Sequence, residues 1–175
     1  MNEEQFERWA SQNLNVDLQL NEFRPTFGQL FRMLRGFDNP NYPTETEVED
    51  LSELGIDQVD DYWGIRADDP DVGDDVVMWL FPLVDGLDVY HDPGPFDGIR
   101  LSYSVIRNPP DCLAIYLSMI TRLAEAFAAT AYYRTGGIEL GSPPNLEPVE
   151  TEAWEMVEYW RKRGIEPGSD DALQR

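Results

Sequence analysis

The sequence predicts an α+β fold, an antiparallel sheet built on a central three-stranded meander and packed by a long helix. Three observations carry this. Residues 76–107 form apolar runs separated by turn clusters, residues 109–132 are apolar around most of a helical circumference, and shorter amphipathic helices stand toward both termini. A chain of 175 residues suits one domain, so residues 1–175 are read as a single globular unit with 165–175 as a loose tail.

Residues 3–14 place Phe6, Trp9, Ala10 and Leu14 at helical spacing, with Asn2 as the cap and Glu3 and Glu4 at the positive end of the dipole. Leu14, Val16, Leu18 and Leu20 then alternate with polar residues, the period of a strand with one wet face, although the same segment could extend the helix. Pro25 opens a further helix carrying Phe27, Leu30, Phe31 and Leu34, which Gly36 stops. After the irregular DNPNYPT, the run TETEVEDLSELG reads as a short acidic helix with Val48 and Leu51 inward. VDDYWGIR, residues 59–66, reads as a short strand, and ADDPDVGDD as a solvated loop.

VVMWLFPLV, residues 76–84, is predicted as a strand covered on both faces and disturbed at Pro82. Asp85-Gly86 makes the hairpin turn, and LDVYHD returns. IRLSYSVIR sets Ile99, Leu101, Tyr103 and Val105 on one face and Arg100, Ser102 and Ser104 on the other. Asn108 caps, and Pro109 and Pro110 open, a helix predicted to run to about residue 132. IEL, residues 138–140, is a short edge strand. Thr151 caps the last helix, whose inner stripe is Trp154, Val157 and Trp160 or Arg161, with Gly164 as its stop.

Composition narrows function. The 42% apolar and 12% aromatic content is that of a folded protein, since disordered acidic chains lack aromatics. Thirteen Lys and Arg against thirty-four Asp and Glu leave no cationic cluster for a phosphate backbone, which argues against nucleic-acid and anionic-membrane binding. No apolar run reaches the roughly 18 residues that span a bilayer, and no signal-peptide pattern opens the chain, so a cytoplasmic protein is expected. A lone Cys112 requires no oxidising compartment; at the first turn of the long helix its thiol pKa would fall, but burial as a small apolar residue is the simpler reading.

Catalytic signatures are weak. His91, the one histidine, stands beside Asp92 and near Asp97, a pairing that could serve general-base or metal chemistry. Adjacent turn residues seldom aim at one point. The aspartates 68, 69, 71, 74 and 75 invite a calcium site, yet with Asp69 first an EF-hand would need glycine at Asp74 and a bidentate glutamate at Leu80. Neither a nucleophile elbow nor a glycine-rich phosphate loop occurs. No enzyme activity and no cofactor are expected.

What remains is charge. Residues 45–75 hold thirteen carboxylates and one cation, Arg66, and so carry twelve of the formal 21 net negative charges. Inside that field lies YWGIR, residues 62–66, whose aromatics with an acidic rim match the composition of interface hot spots; Trp63 could equally be a core anchor. In size, α+β character, one-sided charge and these aromatics the chain resembles the immunity proteins that bacteria encode beside toxins, including polymorphic and secreted nuclease effectors.

The resemblance implies a carboxylate-rich surface covering the basic cleft of a cognate toxin. The expected partner-binding residues are Glu49, Glu53, Asp57, Asp60, Asp61, Tyr62, Trp63, Asp68, Asp69 and Asp71. Two other readings stand beside it. One is a DNA-mimic or anti-defence inhibitor of a nucleic-acid enzyme, and the other a metal-binding protein or enzyme centred on His91 and the aspartates. A homodimer is left open.

Overall fold

In the computed structural model, residues 1–22, 24–25, 63–66, 76–85, 87–88 and 95–174 are described. Among them seven strands form one antiparallel sheet: β1 (Asn13–Gln19), β2 (Trp63–Arg66), β3 (Val76–Val84), β4 (Leu87–Asp88), β5 (Gly98–Ser104), β6 (Thr130–Tyr133) and β7 (Ile138–Gly141). Their order is β2-β3-β5-β1-β6-β7, with β4 beside β3. Helices α1 (Glu3–Ser11), α2 (Leu113–Ala126) and α3 (Glu147–Arg161), with a final turn at Asp170–Leu173, complete the α+β architecture.

The alternation of β1 decides the layering. Leu14, Val16 and Leu18 are fully buried and register with Tyr103, Leu101 and Ile99 of β5, while Val16 and Leu18 also face Tyr133 and Ala131 of β6. Met78 and Leu80 of β3 continue this face, and α2 and α3 bury it in one core with Tyr116, Ile120, Met156 and Trp160. The opposite face carries Asn15, Asp17, Ser102, Arg100 and Tyr132, as strand alternation requires. Helix α1 begins on a complete capping box, in which the Asn2 side chain accepts from the Gln5 N–H and the Gln5 side chain accepts from the Asn2 N–H.

Several expectations are corrected. The meander is rearranged: Leu83 pairs with both Asp88 of β4 and Gly98 of β5, so β3 lies between them rather than at one side. The two-residue connection puts Asp85 at φ 51°, the conformation a tight hairpin loop demands. β3 runs unbroken through Pro82, which stands on the outer edge between the β2 and β4 pairings. Its second face is only partly covered, since Trp79 is 38% exposed.

The long helix stops at Ala126, not near 132. Ala128 takes φ 47°, its N–H donates to the Glu125 carbonyl, and the Ala129 N–H reaches back to the Ala124 carbonyl. This is a Schellman ending with alanine where glycine is usual. TAYY, expected to finish the helix, becomes β6, consistent with its β-branched and aromatic content. Asn108 donates its side-chain amide to the Ser104 carbonyl instead of capping, and a 3-10 turn at Pro110–Cys112 precedes α2.

Helix α3 starts at Glu147, four residues before the expected Thr151 cap, with Pro148 in its first turn. The segment after Gly164 is packed, not loose. Ile165 and Ala172 are buried, and the Gly168 N–H donates to the Ile106 carbonyl. A Cβ at Gly168 would lie 2.4 Å from Pro109, and its φ is 80°, so glycine alone fits this contact.

Candidate functional site

Of the expected partner-binding residues, Glu49, Glu53, Asp57, Asp60, Asp61, Tyr62, Asp68, Asp69 and Asp71 lie outside the described residues, as do His91 and Asp92. Trp63 opens β2, the strand at one end of the sheet order, in register with Leu80 of β3; Ile65 registers with Met78, and a shift follows before Arg66 meets Val76. The chain therefore enters and leaves this edge strand through acidic sequence, residues 45–61 before it and residues 67–75 joining it to β3.

A second surface is built by α1 and α3. Trp160, fully buried, donates its indole N–H to the Ala10 carbonyl at 3.0 Å and ties the two helices together. Glu152 is the other tie. It accepts from the Trp9 indole at 2.7 Å and from the Tyr133 hydroxyl of β6. Burial, reinforced by that bond to Glu152, pushes the Tyr133 phenol well above its ordinary pKa, so it remains a donor.

Outside these ties lies an open groove of about 800 Å³. Tyr159 is its centre. Phe6 stacks on it with ring centroids 6.4 Å apart, Trp9 meets it edge-on at 6.2 Å, and the Arg163 guanidinium sits 3.8 Å from its ring centroid. The Tyr159 hydroxyl is buried without a hydrogen-bond partner among the described residues. Trp154, 40% exposed, and Phe6, 38% exposed, border the groove together with Glu150, Glu155 and Glu158.

No family model, curated protein or solved structure matches the chain.

The polar sheet face holds a smaller cavity of about 370 Å³ lined by Asp17, Tyr132, Asp85 and Asp97. Asp17 is already committed: Arg100 donates to both its oxygens at 2.7 and 3.1 Å, and Arg134 approaches at 3.4 Å. Asp97 is also taken, accepting from the Asp85 N–H through both oxygens. Among the described residues no group of three or more His, Cys, Asp or Glu is arranged to hold a metal ion, and no helix is long and apolar enough to cross a membrane. Cys112 is fully buried beneath the start of α2, as the reading of it as a small apolar residue expects.

The sequence pattern places Trp154 inward and so gives no sign of the aromatic groove. The buried α3 residues are Val149, Ala153, Met156, Val157 and Trp160; Val157 and Trp160 face inward as expected, while Trp154 lies one step off the 4-3-4 row of Val149, Ala153, Met156 and Trp160. A helix start at Thr151 hid the signal, since Val149 then falls outside the helix and the small Ala153 carries little weight.

Proposed function

We propose that this chain is an acidic protein-binding inhibitor, an immunity-type protein that neutralises a toxin, such as a nuclease, by covering its basic cleft. The observation that carries this is the concentration of twelve net negative charges in residues 45–75. A field of that density steers a basic partner and accelerates capture, while desolvated aromatics set the rate of release. The described backbone supports the reading because β2 stands at the end of the sheet order, so the acidic segments on either side of it join the fold at an edge and not through its centre. Trp63 and Tyr62 would supply the aromatic contact in the middle of that charge.

The test is co-expression with a toxin encoded beside this gene. Rescue of growth and a complex that survives gel filtration are expected, with Asp60→Asn/Asp61→Asn slowing association and Tyr62→Ala hastening dissociation. Absence of both rescue and complex overturns the proposal.

A further inference from the structure

The groove between α1 and α3 keeps aromatic area uncovered. Trp154 and Phe6 leave large apolar surfaces in water on adjoining helices. Residues four apart on a helix lie one above the other, so Glu150 and Glu158 bracket Trp154 one turn to either side. Glu158 lies within the field of Arg161 three residues on, and Lys162, one turn beyond Glu158, also lines the groove, while Glu150 has no such cation one turn away. Of the two cations that line the groove, Lys162 and Arg163, the second is committed, since Arg163 covers the Tyr159 ring and contacts Glu3 at 3.4 Å; the lining carboxylates Glu150, Glu155 and Glu158 outnumber them.

An indole face between two carboxylates is complementary to a cation carried on an apolar segment. The indole quadrupole attracts the charge, the carboxylates accept its hydrogen bonds, and the aromatic floor buries the flanking methylenes. A second copy of this chain fits poorly, because it brings a further formal charge of −21 and the same acidic wall. The groove is also remote from β2. Helix α3 is tied through Glu152 to β6, which stands four strands from β2 in the sheet, roughly 19 Å at about 4.8 Å per strand.

We infer that the α1/α3 groove docks an arginine- or lysine-bearing apolar segment of the basic partner, as a surface separate from β2. This rests on the reading of the partner as basic. Two engaged surfaces on one molecule would multiply residence time without requiring either to bind tightly alone.

The probe is a synthetic amphipathic helical peptide with leucine on one face and arginine on the other, paired with a twin carrying glutamate for arginine. Binding is followed by calorimetry at about 0.15 M salt, where surface attraction beyond roughly 8 Å is screened. The full chain is expected to bind the arginine peptide and not its twin. Trp154→Ala, and separately Glu150→Gln with Glu158→Gln, should each weaken binding about tenfold or more, whereas Asp68→Asn with Asp69→Asn should leave it nearly unchanged. Thermal melts establish that each variant is folded. Equal binding by wild type and the groove variants overturns the groove while leaving the basic-partner reading standing. Failure of every form to bind the arginine peptide likewise overturns the groove, while the basic-partner reading stands or falls on the co-expression test. A wild-type dimer in sedimentation that Trp154→Ala dissociates assigns the groove to a second copy and overturns the inference.

Discussion

Helices α2 and α3 cover the same sheet face and are nearly equal in length, yet they do different work. α2 is apolar around much of its circumference, burying Leu113, Tyr116, Met119, Ile120, Leu123 and Ala124. Even the polar atom of its buried tyrosine is absorbed, since the Tyr116 hydroxyl donates toward the Leu14 and Leu101 carbonyls, 3.2 and 3.0 Å away on neighbouring strands. Burial holds that phenol protonated far above its ordinary range. α3 buries a narrower stripe and leaves an outer face of Glu150, Trp154, Glu155 and Glu158. Its Tyr159 hydroxyl has no partner among the described residues. The contrast separates scaffold from surface: where aromatic area exceeds what the core can take, the excess marks a place for contact.

The largest test of this division is Trp160→Ala. Trp160 is fully buried, contacts Tyr159 edge-on at 5.1 Å and bonds to Ala10 of α1. Its truncation removes a large apolar volume and leaves the Ala10 carbonyl without the indole donor, so a loss of about 3–5 kcal/mol is expected in urea unfolding. A loss below about 1 kcal/mol would mean that α1 and α3 are not held by the inner stripe. The inner stripe of α3 would then not be scaffold.

A smaller and opposite effect is expected at the end of α2. Ala128 holds φ 47°, where a Cβ is disfavoured, and its N–H and that of Ala129 complete the terminal hydrogen bonds. Ala128→Gly relieves the strain and should stabilise the protein by about 0.5–1 kcal/mol, measured as a raised urea midpoint at constant slope. Destabilisation would show that the alanine methyl packs more than it strains.

Ala128 also explains where the sequence was legible. The strand β1 could be read from its alternation because one face is core and the other is wet, and β5 repeated the pattern through Ile99, Leu101 and Tyr103. The stop of α2 was not legible, because the reversal uses alanine instead of glycine and the following AYY continues an apolar helical pattern. Its true character depends on pairing with β1 more than a hundred residues earlier in the chain, through Val16 with Tyr133 and Leu18 with Ala131. The rearranged meander has the same origin, since local turns specify that β3 and β4 pair but not which edge of β3 receives β5. As for the candidate sites, the acidic stretch was visible from composition alone. The groove was not, because it joins α1 to α3 across the length of the chain and depends on a one-residue distinction along α3.

The smallest effect lies where α3 leaves the core. Arg161 ends the helix and donates to both oxygens of Glu166, at 2.9 Å from Nε and 2.7 Å from Nη2, across the turn at Gly164. This hydrogen bonding, aided by the opposite charge, holds the Glu166 carboxyl below the usual carboxylate range. A carboxylate whose folded pKa is depressed contributes its stability above the ordinary value and loses it as the pH falls through the folded one. Both side chains are substantially exposed, 40% and 53%, so solvent screens the pair and its effect on unfolding should be close to the limit of measurement. The titration itself is more sensitive. In carboxyl-detected NMR, Arg161→Gln should move the Glu166 midpoint upward toward the ordinary value, while the melting temperature at neutral pH stays nearly constant. An unmoved midpoint would show that the pair does not persist in solution. A large fall in melting temperature would show that the outer end of α3 is part of the scaffold after all, and would erase the difference between the two helices at the point where they are most alike.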